Sequence, residues 1–335
     1  MENSKIQLCA LGNALVDMQF FVSDSMLEKL YIHKGEMRLV EMQEQLSIIK
    51  RLENIVPHRC SGGSATNTID AFAKFGGKAA YLTSVGDDGN GIYYYNELGA
   101  INVVFKRNII VGQPTGTCLI LITPDGERSM LTCLAASKSF SLEHLDAELI
   151  KSSEWLYVEG YKFSETVGVS CIEKAIEIAK QSKTKIAITA SDVFIINEFR
   201  SNFINQLRQA DLIFCNETEA QAIAESNDPD NAFEKITKIV PNVVMTRGSK
   251  GSKILFKGKT YLIPPHEVTV IDTTGAGDMY SGAFLYGLNN FKGDDAVLKA
   301  GYLASYSSSI IVSQLGARYK GYFKELLYNS QIFVK

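Results

Sequence analysis

One stretch of the chain decides the fold: Val270-Ile271-Asp272-Thr273-Thr274-Gly275-Ala276-Gly277-Asp278. It joins a short strand-like run to a glycine turn, and residues 279–288 continue with the apolar spacing of a helix. Strand, glycine turn and helix in this order form the repeating unit of α/β sheets. We therefore expect further units of the same kind elsewhere in the chain.

The same stretch carries candidate catalytic groups. Gly275 and Gly277 let the backbone turn sharply, so that the N–H groups around Ala276 lie at a helix start and favour a phosphate or a developing anion. Asp278 lies on the first helical turn, where the dipole keeps a carboxylate ionised and able to accept a proton. A base beside an anion hole suits phosphoryl transfer. A plain strand-to-helix turn capped by an aspartate is the alternative.

A second glycine segment, Ser61-Gly62-Gly63-Ser64-Ala65-Thr66-Asn67-Thr68, again opens a helix, and Gly12-Asn13-Ala14-Leu15-Val16-Asp17 follows the first strand. Glycines expose backbone amides, an asparagine side chain both donates and accepts, and a carboxylate accepts. Such groups suit the vicinal hydroxyls of a sugar, although a capped helix and a turn would look the same. The predicted substrate-binding residues are Asn13, Asp17, Gly62, Gly63 and Asn67.

Strand-length apolar runs alternate with helical segments along the chain, which predicts a doubly wound α/β sheet. The predicted strands are 8–11, 79–85, 155–158, 185–189, 212–215 and 243–246. The predicted helices are 65–75, 167–181, 198–208 and 296–312. No linker or internal repeat interrupts the sequence, so we expect residues 1–335 to form a single domain.

Two segments, about 14–40 and 102–132, break the alternation. Turn sequences such as Gln113-Pro114-Thr115-Gly116 and Pro124-Asp125-Gly126 predict hairpins without helices. An antiparallel sheet inserted in an α/β body needs cover on one face, so we expect a lid that lies over the body with a cleft below it. The lid edges could also join two copies, so a monomer and a homodimer through the lid both stay open.

Composition excludes several classes of protein. The 335 residues are 46% hydrophobic and 21% charged, as in ordinary globular proteins, and a formal net charge of -3 gives no basic surface for nucleic acid or an anionic membrane. The cysteines form no CxxC pair and are interpreted as reduced core residues. The polar start at Met1 to Ile6 and the lack of a long apolar span favour a cytoplasmic protein.

With these motifs in place, the chain resembles the ribokinase-like, or PfkB, family of carbohydrate and nucleoside kinases. Residues 62–67 and 85–91 are similar to the N-terminal signature of that family, and residues 272–278 to its C-terminal signature. Asn216-Glu217-Thr218-Glu219 resembles the N-x-x-E motif, and Thr246-Arg247-Gly248-Ser249-Lys250-Gly251 the T-x-G-x-x-G loop. The resemblance spans most of the chain.

The resemblance implies a three-layer α/β/α sandwich with a mainly parallel central sheet and a small antiparallel lid sheet. It also implies ATP as the phosphoryl donor with Mg²⁺, which Asn216 and Glu219 would order, Glu219 through water. Thr246, Gly248 and Gly251 would approach the ATP phosphates. Taken alone, the first motif also fits a helix N-cap and the second a tight turn.

The family further implies a monovalent cation, such as K⁺, held by carbonyls near Asp272, Thr274 and the loop after the last long helix. Whether this chain binds such a cation stays open, because its tail keeps Gly316 but has Lys320 about where small polar residues are usual.

Within the family, residues 12–17 and 62–67 look most like the adenosine-kinase-like branch, in which the aspartate and asparagine hold a ribose whose 5'-hydroxyl meets the base. The resemblance thus implies adenosine as the first substrate. A kinase of a free sugar or sugar phosphate, such as ribose or fructose, stays as an alternative, and so does a non-catalytic sensor on the same fold.

Three other residues receive structural interpretations. We expect Arg128 to be a solvated lid arginine, with contact to a phosphate in the closed state as the alternative. We expect Trp155 to be a core residue at a strand start and Glu159 to end that strand, with a place on the cleft wall as the alternative for Glu159.

Overall fold

The computed structural model describes residues 5–332, so Met1 to Ser4, in the polar start considered above, lie outside the described residues. Within the described range the strands are β1 Ile6–Leu11, β2 Leu15–Phe21, β3 Met37–Leu39, β4 His58–Gly62, β5 Ala79–Leu82, β6 Val85–Gly86, β7 Val104–Phe105, β8 Ile109–Ile110, β9 Gly116–Ile122, β10 Arg128–Cys133, β11 Ser153–Glu159, β12 Lys185–Thr189, β13 Leu212–Asn216, β14 Val243–Thr246, β15 Ser252–Phe256 and β16 Lys259–Ile263.

The α-helices of the same range are α1 Asp24–Leu30, α2 Met42–Arg51, α3 Ser64–Lys74, α4 Gly89–Ala100, α5 Ala147–Lys151, α6 Thr166–Ser182, α7 Val193–Glu198, α8 Arg200–Leu207, α9 Glu217–Ala224, α10 Pro229–Ile236, α11 Ala276–Asn290, α12 Ala296–Val312 and α13 Phe323–Ile332. Short 3₁₀ turns cover Ala135–Ser139, Leu142–His144, Gly160–Ser164 and Gly248–Lys250.

The large sheet has the strand order β16-β15-β14-β13-β12-β11-β1-β5-β7. It is parallel except at one edge, where β14, β15 and β16 pair antiparallel. One apolar core joins one sheet face to α3, α4, α11, α12 and α13, and a second core joins the opposite face to α5 through α10. Helices on both faces of a parallel sheet bury its apolar strands completely. The predicted three-layer fold is therefore confirmed.

Most predicted elements form close to their expected positions, and three of them, 185–189, 243–246 and 296–312, have the predicted bounds. Trp155 is a buried residue near the start of β11, as predicted. The predicted helix 198–208 forms as α8, and Glu198 instead ends the preceding helix α7, because Phe199 leaves helical geometry between the two. The predicted strand 79–85 also ends early, since Val85 pairs with Ile109 in a separate short sheet.

The lid sheet has the strand order β3-β10-β9-β2-β4. The hairpin of β9 and β10 is antiparallel as predicted. The pair of β2 and β4 is also antiparallel, although β4 lies outside the predicted lid. Two further pairs, β3 with β10 and β2 with β9, are parallel. Alternate side chains of these strands face opposite sides of the lid. One side packs against α1 and α2, while Cys118 and Ile120 on the other side line the space above the body.

The predicted lid bounds differ from the structure in three respects. The segment 14–40 contains the helix α1 as well as strands. The segment 102–132 starts too early, because β7 follows the crossover helix α4 and pairs in parallel with β5 of the large sheet. The lid also includes β4, which the sequence prediction left outside it.

None of the helices within residues 5–332 combines the length and the apolar character that a membrane-spanning segment needs.

Candidate active site

A cleft of about 1410 Å³ lies between the lid sheet and the carboxyl ends of the parallel strands. Ligand pockets usually measure about 300–1,000 Å³, so this cleft has room for more than one small molecule. The structure brings most of the predicted site residues to its wall: Asn13, Asp17, Gly63, Asn67, Asn216, Glu219, Thr246, Gly248, Gly251, Thr274, Gly275, Ala276, Gly277 and Asp278. Gly62 and Asp272 lie behind that wall.

Asp278 lies in the first turn of α11, at the floor of the cleft. The turn before it requires glycine, because Gly275 has a φ of 77° and a Cβ there would meet the backbone of Ala317 at 2.6 Å. Ser64 Oγ donates to Asp278 Oδ1 at 2.6 Å, and Asn67 Nδ2 donates to Oδ2 at 3.0 Å. Two donors thus fix the carboxylate, so Asn67 contacts the candidate base directly.

The environment of Asp278 suits a general base. Burial raises the pKa of its carboxyl to about 6, while the hydrogen bonds from Ser64 and Asn67 and the charge of Arg318 limit the rise. A base is most effective when its pKa lies near the working pH. Asp278 is therefore ionised at neutral pH and more basic than an exposed aspartate.

The helix start also offers backbone donors to an anion. The amide of Ala276 donates to Thr273 O at 3.2 Å, so it is already engaged. Those of Gly277 and Asp278 form no such backbone bond within residues 5–332. A Cβ added at Gly277 would meet nothing within 4 Å. The cleft is therefore open at Gly277, where an oxyanion could approach the helix start.

Asp17 projects from the lid strand β2 into the cleft, opposite the base. A Cβ on Gly62 of the neighbouring strand would lie 2.2 Å from its Oδ1, so glycine makes room for the carboxylate. Burial raises the pKa of Asp17 to about 7, although Arg318 and Arg128 act in the opposite direction. The side chain is 9% exposed and is placed to accept hydroxyl groups of a ligand.

Asn13 is more enclosed than the sequence indicated. Its Nδ2 donates to Glu159 Oε1 at 3.2 Å, and its Oδ1 accepts from Ser137 Oγ at 2.8 Å and from Lys162 Nζ at 3.1 Å. Gly63, at a φ of 99°, passes so close to Asn13 that a Cβ would lie 2.3 Å from its carbonyl oxygen. Asn13 therefore holds several elements together at the edge of the cleft.

Glu159 ends β11 as predicted and also lines the cleft. Its Oε2 accepts the amide of Ala65 at 2.8 Å, which anchors the first turn of α3. Burial raises the pKa of Glu159 to about 7, and the amide of Ala65 and the charge of Lys162 partly offset the rise. Behind it, the fully buried Lys162 pairs with Glu165 at 2.8 Å. This network fixes the helix that carries Ser64 and Asn67.

The expectation of a solvated Arg128 was wrong. Arg128 lies on the lid strand β10, is 8% exposed, forms an ion pair with Asp272 and donates to Thr274 Oγ1 at 3.1 Å. A charge buried this far from water needs a charged partner, and the loop before the helix start supplies one. Arg128 therefore joins the lid to the body beside the anion hole.

Donors surround the side chain of Asp272. Its Oδ1 accepts the amide of Thr274 at 3.0 Å and its Oδ2 the amide of Gly316 at 2.7 Å, in addition to the ion pair with Arg128. The guanidinium already supplies positive charge to this carboxylate. These contacts occupy the side chain of Asp272, whereas the predicted ligands of a monovalent cation are backbone carbonyls, so K⁺ at this position stays a prediction.

Asn216 and Glu219 form a capping box at the start of α9. Asn216 Oδ1 accepts the amide of Glu219 at 2.8 Å, and Glu219 Oε2 accepts the amide of Asn216 at 2.8 Å. Burial, with the nearby Asp192 and Asp278, raises the pKa of Glu219 to about 7. Carboxylates that repel one another across a cleft fit a divalent cation held partly by water. Within residues 5–332, no cluster of His, Cys, Asp and Glu encloses a metal by itself.

The loop after β14 contains the residues that are predicted to approach the ATP phosphates. Gly248 and Gly251 have positive φ values of 54° and 82°, and a Cβ on Gly251 would lie 2.0 Å from Ile263 O. Thr246 at the end of β14 and both glycines line the cleft. The amides of Arg247, Lys250 and Gly251 donate to carbonyls of the same loop, which holds its shape at the cleft wall.

The chain matches the family described as pfkB family carbohydrate kinase over residues 37–321, which is most of its length. It belongs to this family. The chain is therefore an ATP-dependent nucleoside or carbohydrate kinase, as its signatures predicted.

Individual members of the family are similar over nearly the whole chain. The adenosine kinase of Saccharomyces cerevisiae is 28% identical over 335 residues, which cover 93% of this chain and 96% of that protein. A solved structure of adenosine kinase from Sinorhizobium meliloti is 30% identical, with a TM-score of 0.89 and coverage of 98% and 100%. A probable sugar kinase protein from Rhizobium etli CFN 42 is 28% identical, with a TM-score of 0.90 and coverage of 98% and 99%.

Within this pfkB kinase site, sequence analysis missed the residues that hold the predicted ones in place. They are Ser64, Lys162, Glu165, Ser137 and Arg318. Ser64 could have been found, because it stands at a glycine-led helix start beside Asn67. The other side chains reach the site from distant segments, and no local pattern marks them.

Proposed function

We propose that this kinase transfers the γ-phosphoryl group of ATP to the 5'-hydroxyl of adenosine. The observation that carries the proposal is the apolar wall of the cleft on the lid side of Asp17. Leu15, Ile120 and Met130 line it, and Leu134 continues it. A purine has two flat apolar faces, whereas a free sugar carries hydroxyl groups around its whole ring and would leave this wall uncovered.

Asp17 would hold the ribose between this wall and the floor of the cleft. A buried carboxylate accepts two neighbouring hydroxyls through its two oxygens, and charged hydrogen bonds of this kind are the strong ones. The base would then lie against the lid and the 5'-carbon would point towards α11. This orientation brings the acceptor hydroxyl to Asp278.

Asp278 would accept the proton of the 5'-hydroxyl while that oxygen forms its bond to the γ-phosphorus. The bond from the γ-phosphorus to the β–γ bridging oxygen breaks, and ADP leaves with that oxygen. Catalysis of this transfer rests mainly on alignment and on charge stabilisation. The amides of Gly277 and Asp278, in the first turn of α11, would stabilise the negative charge that develops on the transferred group.

ATP would lie along the other half of the cleft. Thr246, Gly248 and Gly251 border that half with Asn216 and Glu219. Mg²⁺, when bound with ATP, would neutralise phosphate charge and be oriented by Glu219 through water. Arg128 closes the lid over the phosphate end, which keeps water from competing with the acceptor.

The test is release of ADP from ATP and Mg²⁺ against adenosine, guanosine, cytidine, ribose, fructose and their phosphates. We expect adenosine to give the highest kcat/KM, with AMP as the product identified by mass spectrometry. Adenine alone should compete with adenosine, because the apolar wall binds the base. Preference for a free sugar would replace the proposal by a sugar kinase. A rise in melting temperature with adenosine but no turnover would favour the sensor.

A further inference from the structure

Arg318 lies in the loop after α12 and is 13% exposed, deep beneath the acceptor side of the cleft. Its Nε donates to Asn67 Oδ1 at 3.0 Å, and its Nη1 donates to Ser61 Oγ at 2.6 Å. Asn67 in turn donates to Asp278. A continuous hydrogen-bonded chain therefore runs from Arg318 through Asn67 to the carboxylate.

We propose that Arg318 is a positioning residue for phosphoryl transfer, which holds the Asn67 carboxamide so that its NH₂ group stays on Asp278. The inference rests on the proposed role of Asp278 as the base. A guanidinium can only donate and a carboxylate can only accept, so the amide between them is fixed with its oxygen towards Arg318 and its nitrogen towards Asp278.

The loop that carries Arg318 is itself fitted to the catalytic turn. Gly316 donates its amide to Asp272, and Ala317 packs against Gly275 so closely that no Cβ could fit there. Gln314 Nε2 donates to the carbonyl of Arg318 at 3.0 Å. The guanidinium is therefore held on a rigid support, as alignment of a base to a fraction of an ångström requires.

The positive charge of Arg318 and the hydrogen bond from Asn67 both act to lower the pKa of Asp278. The same charge lowers the pKa of Asp17, and in both carboxyls it acts against the larger effect of burial. Several groups face Asp278 from other elements and interact with its charge: Asp17, Tyr157, Glu159, Tyr161 and Glu219. All five of these groups are acids or phenols, so they favour the protonated form of Asp278, whereas Arg318 favours its ionised form. Loss of Arg318 should thus raise the pKa of Asp278.

The first experiment compares Arg318→Gln, Arg318→Lys and wild type with the best acceptor of the panel. We expect Arg318→Gln to lower kcat about tenfold, to change the acceptor KM less than threefold, and to move the acidic limb of kcat to higher pH. Arg318→Lys keeps a charge but lacks the planar Nε–H. It should lower kcat almost as much. Full activity of Arg318→Lys would overturn the positioning role and leave only an electrostatic one.

Ser61→Ala is the matched control, because it removes a different hydrogen bond of the same guanidinium. It should keep kcat within about twofold of wild type. In the Asn67→Ala background, Arg318→Gln should have no further effect on kcat, because the hydrogen bonds through Asn67 are already absent. Additive losses, or equal losses in Ser61→Ala and Arg318→Gln, would contradict a role through Asn67.

A readout without turnover separates this inference from the proposed function. The Asp278 carboxyl can be titrated by carbon-13 NMR in the ligand-free protein, with Asp278→Asn to assign its signal. We expect Asn67→Ala and Arg318→Gln each to raise its pKa. An unchanged titration in Arg318→Gln would overturn the inference even in an active kinase. A raised pKa in both Arg318→Gln and Arg318→Lys would support it even if adenosine is not the substrate, whereas a rise in Arg318→Gln alone would leave only the electrostatic effect.

Discussion

The Ser64 hydroxyl lies 2.6 Å from Oδ1 of Asp278 and links the first turns of α3 and α11, which are 214 positions apart in sequence. The two helices reach this distance because Gly282 of α11 lies against α3, where a Cβ would meet Thr68 O at 2.5 Å. Two helix starts therefore converge on one carboxylate. Their dipoles favour its ionised form, while burial opposes it.

Asp278→Asn removes the proton acceptor but keeps the shape of the side chain. We expect kcat to fall on the order of a hundredfold or more, as for loss of a general base, while KM for ATP and for the acceptor changes little. Steady-state kinetics checks this, with ligand-induced melting shifts to show that binding persists. Unchanged turnover would exclude Asp278 as the base.

The buried carboxyls should also make stability depend on pH in an unusual direction. Burial raises the pKa of Asp278 to about 6 and those of Asp17, Glu159 and Glu219 to about 7. Between about pH 4 and pH 7 the folded chain then holds more protons than the unfolded chain, so the contribution of these groups to stability falls as pH rises.

Asp278→Asn should accordingly stabilise the ligand-free protein, by on the order of 2 kcal/mol at pH 8 and by less as pH falls towards 4. Thermal unfolding followed by circular dichroism at both pH values measures the difference. The control is Asp230→Asn, because Lys253 lowers the pKa of this exposed carboxyl and its loss should not raise Tm. A Tm gain independent of pH would contradict the titration argument.

Local patterns predicted the helix starts and the strands, because each depends on residues close in sequence. Gly275 and Gly63 were found in this way, since both need positive φ where a chain turns into a helix. Arg128 was misjudged because nothing near it in sequence reveals Asp272, which lies 144 positions away on another element. Arg318 was missed for the same reason. Long-range partners of charged side chains need the tertiary structure.

Asp17→Ala should act mainly on binding of the acceptor. Loss of charged hydrogen bonds to two hydroxyls is worth about 1.5–3 kcal/mol, so we expect KM for adenosine to rise about 10- to 100-fold with a smaller change in kcat. Gln19→Ala is the matched control, since Gln19 lies two residues on along the same face of β2 but outside the cleft wall. Equal effects of both variants would point to damage to the lid strand instead.

Arg128→Met should weaken lid closure, because it leaves Asp272 without its guanidinium partner. Removing one member of a buried ion pair usually costs about 3–5 kcal/mol, so Tm should fall and kcat/KM should drop for ATP and acceptor together. Hydrogen exchange should become faster in β9 and β10. Lys34→Met removes an exposed lid cation that pairs with Asp24 and Asp125 away from the cleft wall, and it should change none of these quantities appreciably. If the two variants behave alike, Arg128 does not act as a lid contact.

Gly277 faces the open cleft at the start of α11, whereas Gly275 packs against Ala317, so alanine at each position should have a different effect. A Cβ on Gly277 enters empty space in the cleft, so Gly277→Ala should fold with a Tm close to wild type while kcat falls, because the methyl group lies where the transferred phosphoryl must approach. A Cβ on Gly275 would meet the backbone of Ala317, and the residue at this position has a positive φ. Tm should therefore drop clearly in Gly275→Ala. Thermal unfolding and kinetics on both proteins check the contrast. An active Gly277→Ala enzyme with normal kcat would place the transferred group away from this helix start.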